Sequence, residues 1–580
     1  MEYVLAMYDV RGKQDFIFRT NKLKEIAGAS WMIRDCFQDY LFPAAQKISK
    51  KGIFTYKNPD GSEKSDAAFS VGSFKKRMEE GYIGEVVYDG GGNFLLLFRD
   101  EETFRKVTYQ FTRDLMEEIG TLRVLGSCVP VSDFSDYRAD SAALYAKHRK
   151  HEMQESMISP WSCLPIVQVD RASTQPLVPL DRKDQRFWQL GSEERSAKHS
   201  KESWQKIFKY QEEMERIKKH QKEMERVKNP QKTLAGGELE SGQSESAESN
   251  PIDEAGRSAA EDTVVGLAAY QFSLNEKIFD RLVPKKGEDS QLAVIYIDGN
   301  GMGARVEKIQ EKYSSYEEYI REIRIFSAEI QQKYVENGIA AVMSGQEENQ
   351  EHRIVVYAGD EVNFVVPAKD ALECAKRYLQ TMRSDEKDAK DSACAGIAVF
   401  HSHFPYSEAY RIAEECCESA KKRMKKENLG TACLIDWHII QGAAGISLQE
   451  MRRQENGEII SRPWLYSVSP DEKVKAESIT TLTEVERLRC MFNKLGRGNI
   501  KNLAELANRS ATELNLDLLR IRAHQCKADR DVMKEDWDWL LKMDEQKKRS
   551  LIYDVVRTYD FWFGGEEGTN KGEAEGRANE

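Results

Sequence analysis

Paired cysteines are missing from this sequence. Ten cysteines are present, but no two are spaced as Cys-x-x-Cys. Structural zinc sites are usually built from closely spaced cysteine and histidine ligands, so no zinc site is expected. Cys416 and Cys417 are adjacent within a stretch of helical periodicity. We therefore interpret the cysteines as reduced thiols of a cytoplasmic protein.

Long apolar runs are missing as well. No stretch approaches the roughly 20 apolar residues that a membrane-spanning helix needs. The first residues, MEYVLAMYDVRGKQDF, include an apolar run that is too short for a secretory signal and soon becomes charged. Both observations predict a cytoplasmic protein with no membrane partner.

Positive charge is not in excess. The 580 residues include 86 Lys and Arg against 97 Asp and Glu, which gives a net charge of −11. This balance argues against a general nucleic-acid coat protein but is compatible with a local basic groove. A chain of this length exceeds a single hydrophobic core, so several domains are expected.

One order of secondary structure occurs twice, in residues 1–152 and in residues 290–440. Each copy has a strand, a helix, a β-hairpin, a helix, a strand and a further helix. The first copy has strands at 2–10, 83–88, 94–98 and 122–130 and helices at 21–49, 101–119 and 137–152. The second has strands at 292–298, 353–358, 362–367, 392–401 and 431–438 and helices at 316–337, 369–384 and 407–427. This duplication predicts an α+β protein with two ferredoxin-like domains.

The rest of the chain differs from the two copies in composition. Residues 153–289 are predicted to form a helical region whose Lys- and Glu-rich part, 198–230, is a solvated helix or a short coiled segment. Within it, about 230–262 has almost no large apolar residues and predicts a disordered linker. Residues 441–563 are predicted to form a separate C-terminal helical domain, and 564–580 a disordered tail.

The strand at 292–298 ends in a carboxylate, Asp298, which leads into Gly299, Asn300 and Gly301. Magnesium in nucleotide sites is bound by a few carboxylates together with phosphate oxygens. Glycine lets backbone N–H groups approach phosphates closely. This pattern therefore suits a magnesium–triphosphate site, although a strand followed by an ordinary turn has the same residues.

A second acidic feature is the hairpin tip at Gly359, Asp360 and Glu361. Two adjacent carboxylates repel each other, and a divalent cation would relieve that repulsion; a solvent-exposed acidic turn is the alternative. In the predicted sheet the first strand and the hairpin are neighbours, so Asp298 would join this pair at one edge. Three carboxylates around two metal ions could activate a hydroxyl, orient a triphosphate and stabilise the leaving pyrophosphate.

Together these motifs resemble the palm domains of polymerases and of GGDEF diguanylate cyclases. They resemble above all the large subunit of type III CRISPR effector complexes, of the Cmr and Csm type. AGDE at 358–361 is similar to the GGDD turn of that family, with two conservative departures. The segment CAGIAVFHSHFPYSEAYRIAEECCESAKKRMK from Cys394, and the triplet Asp436-Trp437-His438, are similar to the elements that follow that turn.

The first copy also resembles this family. KLKEIAGASW at 22–31 is similar to its first-palm helix, and YDGGGNF at 88–94 to its degenerate first-palm turn. When Tyr88 is aligned with Tyr357, Gly91 and Gly92 stand in place of Asp360 and Glu361. The first copy is therefore predicted to bind nucleotide through its glycine turn, or to pack against the second palm, without catalysing. A plain hairpin turn is the alternative for the two glycines.

The resemblance implies a nucleotidyltransferase that condenses ATP into cyclic oligoadenylates, second messengers of antiviral defence. It implies two Mg²⁺ or Mn²⁺ ions bound in the active palm, and guide RNA, target RNA and other effector subunits as partners. The residues it implies as metal ligands are Asp298, Asp360 and Glu361. Those it implies at the nucleotide are Gly299, Asn300, Gly301, Gly359 and Lys421. For Lys421, a solvated position beside Lys422 and Lys425 is the alternative.

Two modules of that family have no counterpart in the sequence. No histidine is followed by aspartate, so the His-Asp nuclease domain is not expected. The stretch that begins at Cys163 has one cysteine, so the zinc module is not expected either. Two other functions remain open: a nucleotide-binding scaffold of an RNA-guided complex, and a stand-alone synthase of a cyclic dinucleotide.

Overall fold

The computed structural model separates into two compact units. The first contains Met1–Leu274, Gly301–Glu336 and Val355–Asp360, and the second contains Asn275–Asn300, Asn337–Ile354 and Glu361–Glu580. The structure describes residues 2–20, 22–58, 64, 68–90, 93–154, 167–170, 173, 175–179, 186, 188, 198–228, 291–343, 353–358, 361–382, 391–442, 444–455 and 459–563. The predicted linker at about 230–262, the tail at 564–580 and Cys163 lie outside these residues.

The regular elements confirm the predicted α+β class. The strands are β1 (Val4–Arg11), β2 (Ile53–Phe54), β3 (Gly84–Gly90), β4 (Asn93–Phe98), β5 (Arg123–Pro130), β6 (Leu177–Val178), β7 (His199–Ser200), β8 (Gln291–Gly299), β9 (Arg353–Ala358), β10 (Glu361–Pro367), β11 (Ala393–His401), β12 (Cys433–Ile439) and β13 (Trp464–Ser467). The helices of the first unit are α1 (Lys13–Ile17), α2 (Leu23–Arg34), α3 (Phe42–Ile48), α4 (Val71–Glu79), α5 (Glu101–Glu118), α6 (Tyr137–Gln154), α7 (Lys201–Lys228), α8 (Met302–Lys312) and α9 (Tyr316–Ile330). Those of the second are α10 (Gly338–Met343), α11 (Ala371–Met382), α12 (Tyr406–Lys426), α13 (Leu448–Glu455), α14 (Leu482–Phe492), α15 (Arg497–Arg509), α16 (Ala511–His524), α17 (Lys527–Val532), α18 (Lys534–Lys542) and α19 (Glu545–Thr558).

The sheet of the first unit has the strand order β2-β3-β4-β1-β5. Its central strand, β1, is antiparallel to both β4 and β5. Helix α5 covers one face because Phe104, Val107, Phe111 and Leu115 recur at helical spacing and are buried. The ring of Tyr8, on β1, contacts two of these side chains, Phe104 and Phe111. This is the ferredoxin-like arrangement that the element order predicts.

Within the second unit the strand order is β13-β12-β11-β8-β10. The central strand β8 is antiparallel to β10 and β11, as β1 is to β4 and β5 in the first sheet. Helix α12 packs on this sheet at Gly396 of β11, where an added Cβ would lie 1.9 Å from the Ala413 carbonyl oxygen. Only glycine permits so close an approach of helix and strand. The predicted duplication is thus present as two sheets with the same central strand order.

Two helices differ from their predicted extents. The helix predicted over 21–49 is divided into α2, a π-helical turn at Phe37–Leu41, and α3. The helix predicted over 316–337 is preceded by α8, which the sequence did not indicate because none of its side chains is buried. Both α8 and α9 belong to the first compact unit, although they follow β8 in the chain.

Arg324 fixes α9 to the sheet of the first unit. Its side chain is buried; Nε donates to the Val87 carbonyl at 3.2 Å and Nη2 to that of Val86 at 2.5 Å. The guanidinium also lies 4.0 Å from the centre of the Tyr56 ring. An arginine in an amphipathic pattern normally indicates a solvated face, so this position of α9 was not predictable from its residues.

The prediction of a solvated helix over 198–230 is wrong for the first half of α7. Trp204, Ile207, Tyr210 and Met214 are buried there, because they form an apolar stripe among the charged residues. Lys206 is fully buried, and its Nζ is 2.5 Å from Glu202 Oε1. The charges that suggested solvent exposure thus partly neutralise each other inside the first unit.

The helices after β12 pack within the second unit. Ile552 and Val555 on α19 are buried. Trp562 Nε1 donates to the carbonyl of Ala368 at 2.9 Å. Asp436 of β12 is fully buried and accepts hydrogen bonds from both terminal nitrogens of Arg452, at 2.6 and 3.1 Å. This ion pair joins α13 to the sheet.

His438 of β12 is expected to make the stability of the protein depend on pH. Burial, together with Arg462, Arg452 and Arg557, lowers its pKa to about 2, and the acidic Glu455 lies 3.6 Å from Nδ1. In the unfolded chain a histidine has a pKa of about 6.5, so below that pH only the unfolded state binds the proton. We expect the free energy of unfolding to fall by about 1 kcal/mol between pH 7 and pH 5.5.

Urea denaturation at the two pH values measures this loss. The His438→Gln variant should show a smaller pH dependence than the wild type, by about 1 kcal/mol, because the titrating group is absent. An identical pH dependence in both proteins would contradict the assignment.

Two further sequence predictions can be compared with the described residues. No cysteine among them forms a disulfide. Across the same part of the chain, no helix has both the length and the apolar character required to cross a membrane.

Candidate active site

Two of the three predicted carboxylates lie side by side. Asp298 near the end of β8 and Glu361 at the start of β10 are register partners in an antiparallel pair. The Cβ atoms of such partners lie about 4.5–5.5 Å apart and point to the same face. Like charges in this position repel each other, so a site with both carboxylates requires compensating positive charge. Asp360 and Gly359 lie outside the described residues.

Lys421 of α12 supplies positive charge to Asp298. Its Nζ is 2.6 Å from Asp298 Oδ2 and donates to the Gly299 carbonyl at 2.8 Å. Burial alone would lower the pKa of Lys421, but the Asp298 carboxylate raises it above the ordinary lysine value. The side chain is 21% exposed, whereas that of Lys422 is 77% exposed. Lys421 therefore points inward at the site, and its contact with phosphate stays a prediction.

Glu361 has a partner that the sequence did not reveal. The hydroxyl of Tyr410, also on α12, donates to Glu361 Oε1 at 2.9 Å. The Tyr410 ring meets that of Tyr296 edge-on, with centroids 5.5 Å apart. Burial, followed by the charge of Glu361, raises the pKa of both phenols above the ordinary value, which keeps them protonated. The sequence does contain one signal that could have pointed to Tyr410: it lies three helical turns from Lys421, on the same helix face.

The glycine loop after Asp298 is held by Asn300. The side chain of this residue is buried, and its Nδ2 donates to Ser392 Oγ at 3.0 Å and to the Ala432 carbonyl at 3.1 Å. The amide side chain therefore fixes the course of the loop, and the phosphate contact predicted for Asn300 stays a prediction. Gly301 has a φ of 72°, the left-handed region that favours glycine, and precedes α8.

The first sheet has a different residue at the position of Glu361. If Asp9 of β1 is the counterpart of Asp298, its register partner on β4 is Asn93. On that basis Asn93, and not Gly92, stands in the place of Glu361. Gly91 and Gly92 fall between β3 and β4, as Gly359 and Asp360 fall between β9 and β10. The corrected alignment still gives the first copy no acid at either position.

The carboxylate of Asp9 lies near three basic side chains. Arg11 Nη1 lies 2.9 Å, Lys13 Nζ 3.9 Å and His148 Nε2 4.0 Å from its carboxylate. Burial alone would raise the pKa of Asp9, but His148, Arg11 and Lys13 together lower it. Arg11 and Lys13 thus supply positive charge to this carboxylate. Gly91 and Gly92 lie outside the described residues, so their contact with nucleotide stays a prediction.

The donor set at β8 and β10 fits a hard divalent cation. Carboxylate oxygens are the ligands that Mg²⁺ prefers, and Mn²⁺ also suits them. Among the described residues, no group of three or more His, Cys, Asp or Glu side chains is arranged to hold a metal ion. Asp360, the third predicted ligand, is not among those residues. Asp298 and Glu361 thus offer a partial site whose negative charge Lys421 now compensates.

The segment that carries these residues matches a known family. Residues 291–430 match the family model described as Cas10/Cmr2, second palm domain. This part of the chain is therefore similar to a Cas10/Cmr2 palm. It includes β8, β10, β11 and α12, which form the Asp298 site. The resemblance to the large subunit of type III CRISPR complexes is confirmed for these residues.

Comparison with whole proteins adds solved structures of low similarity. The apo Csm1–Csm4 cassette is 11% identical with a TM-score of 0.49, over 96% of this chain and 70% of that chain. Csm1 in T. onnurineus is 12% identical with a TM-score of 0.48, over 96% and 69%. The Csm1–Csm4 cassette in complex with cA4 is 11% identical with a TM-score of 0.47, over 96% and 69%. No curated protein matches the sequence.

Proposed function

We propose that this protein is a metal-dependent nucleotidyltransferase that condenses ATP into oligoadenylates, cyclic ones in particular, in antiviral defence. The supporting observation is the register pair of Asp298 and Glu361, with Lys421 Nζ 2.6 Å from Asp298. That pair lies in the segment that matches the Cas10/Cmr2 second palm. The compartment we propose is the cytoplasm.

The reaction joins two nucleotides. The 3′-hydroxyl oxygen of one ATP attacks the α-phosphorus of another and bonds to it. The bond from that phosphorus to the α–β bridging oxygen breaks, pyrophosphate leaves, and the hydroxyl proton passes to solvent. Asp298, Glu361 and Asp360 would hold two Mg²⁺ or Mn²⁺ ions, which supply charge neutralisation and a more acidic hydroxyl when bound. Most of the rate enhancement would come from orientation and fixed charge. Further rounds lengthen the oligomer. The ring closes when the 3′-hydroxyl at one end attacks the α-phosphorus of the 5′-triphosphate at the other end.

The remaining site residues are proposed to hold the triphosphate. Lys421 carries a positive charge beside Asp298 and would contact phosphate oxygens. The backbone of Gly299, Asn300, Gly301 and Gly359 would line the phosphates. We propose that the first palm binds nucleotide, through Gly91 and Gly92, or packs against the second palm, without catalysis. Asn93 opposite Asp9 supports a non-catalytic role.

A second candidate function is a scaffold that holds nucleotide as a ligand. It is favoured by the contact of Lys421 with Asp298, which already engages that carboxylate. In that function the protein would assemble with guide RNA, target RNA and other effector subunits. One similar solved structure is a Csm1–Csm4 subcomplex of the type III-A CRISPR-Csm interference complex. A stand-alone synthase of a cyclic dinucleotide would use the same site.

One assay separates these functions. The full chain is incubated with each of the four nucleoside triphosphates and Mg²⁺ or Mn²⁺, with and without RNA, and products are identified by mass. We expect oligoadenylates from ATP, and none from an ATP analogue with a methylene bridge between the α- and β-phosphates. A product of two nucleotides only would favour the dinucleotide synthase. If no product forms under any condition and the purified protein retains RNA, the scaffold function would be favoured over the enzyme.

A further inference from the structure

One face of α12 carries two tyrosines, and each donates a hydrogen bond to a side chain of β10. Tyr406 donates its hydroxyl to Asn363 Oδ1 at 2.7 Å, and Tyr410 donates to Glu361 Oε1 at 2.9 Å. Four residues of helix advance about 6 Å, and two residues of strand about 6.8 Å. The two spacings nearly match, so both hydroxyls reach side chains on the same face of the strand.

The position of Tyr410 is fixed by its surroundings. Its ring packs edge-on against that of Tyr296, with an interplanar angle of 86°. The helix that carries it lies directly on β11 at Gly396, where a side chain would not fit. The packing of the Tyr410 ring and of its helix against the sheet therefore fixes the position of the hydroxyl donor. A donor fixed in this way can orient the side chain that accepts from it.

Glu361 is the residue that needs such orientation. Its side chain has one more methylene than aspartate, so a further torsion must be ordered before the carboxylate has a defined place. It stands opposite Asp298, whose carboxylate is already held by Lys421. A hydrogen bond to one carboxylate oxygen of Glu361 sets the direction of the whole group. The glutamate and the tyrosine thus form one unit.

We infer that Tyr410 is a positioning residue, which holds the Glu361 carboxylate in the orientation that binds a divalent cation. The inference rests on the proposed function insofar as Glu361 is a metal ligand there. A purely structural tyrosine would stabilise the fold and leave metal affinity unchanged. The two roles therefore differ in a measurable quantity, the affinity for the cation.

The Tyr410→Phe variant tests this role, with Tyr406→Phe as its matched control. Each removes one hydroxyl from the same helix face, but only Tyr410 contacts Glu361. Binding of Mn²⁺ to the full chain is titrated by electron paramagnetic resonance, in the presence of the methylene-bridged ATP analogue. We expect Tyr410→Phe to weaken Mn²⁺ binding about tenfold. Tyr406→Phe should bind Mn²⁺ like the wild type, although its melting temperature falls.

A second background confirms that Tyr410 acts through Glu361. The shorter side chain of Glu361→Asp withdraws the carboxylate from the tyrosine. In that background Tyr410→Phe should change Mn²⁺ affinity by less than about twofold, because the contact is already lost. An undiminished effect in the Glu361→Asp background would overturn the inference, as would wild-type affinity in Tyr410→Phe alone.

The outcome for the proposed function is read separately. A wild type that binds Mn²⁺ but forms no oligoadenylate would overturn the proposed nucleotidyltransferase. The Mn²⁺ affinity of Tyr410→Phe would then still decide the role of Tyr410. A wild type that binds no Mn²⁺ with the analogue would overturn both. Normal product formation with unchanged metal affinity in Tyr410→Phe would overturn the inference alone.

Discussion

A protein in which Asp360 and Glu361 are both replaced by alanine is expected to form no detectable oligoadenylate. The double change removes two of the three carboxylates proposed to hold the cations. Loss of the cations would cost at least about 4 kcal/mol of transition-state stabilisation, which is about a thousandfold in rate. Mass analysis of products from ATP and Mn²⁺ measures the loss, alongside the Mn²⁺ titration.

A matched control removes the same charge elsewhere. Glu79 and Glu80 are adjacent and exposed, at the end of α4 in the first unit. The variant Glu79→Ala with Glu80→Ala should retain product formation within about a factor of two, as surface changes away from a site usually do. Full activity in the Asp360 and Glu361 variant would contradict the proposed catalytic site and favour the scaffold function.

The general plan of the fold was accessible from sequence because its signals are local. The apolar run at 292–298 ends in Asp298, inside β8, and β10 begins at Glu361, the last residue of the acidic turn. Apolar periodicity and turn residues predict such elements. The pairing of Asp298 with Glu361 then follows from the order of the strands, since a strand and the following hairpin are neighbours in this sheet. The register pair between β8 and β10 agrees with that expectation.

Contacts between segments that are distant in the chain could not be predicted from the sequence. Tyr410 and Glu361 are 49 residues apart, and nothing in a single tyrosine marks it as the partner of a carboxylate. Arg324 is similar: its place against Val86 and Val87 depends on α9 joining the first unit. The place of Asn93 opposite Asp9 likewise depends on how two distant strands pair.

Replacing Gly396 by alanine is expected to damage both stability and the site. The new Cβ would lie 1.9 Å from the Ala413 carbonyl oxygen and 2.5 Å from the Cys417 nitrogen. Both are backbone atoms of α12, so the helix as a whole would have to move away from β11. Such overpacking costs about 3 kcal/mol, measured as a loss in the free energy of unfolding by urea.

The same displacement has a consequence for metal binding. Helix α12 carries Tyr410 and Lys421, which contact Glu361 and Asp298 at 2.9 and 2.6 Å. Gly396→Ala should therefore weaken Mn²⁺ binding at temperatures where the protein is still folded. Gly498→Ala is the control: it lies in a helix with no atom near the added Cβ, and should raise stability by about 0.5–1 kcal/mol. If Gly396→Ala matched the control in both measurements, the close packing of α12 on β11 could not be what places the two side chains.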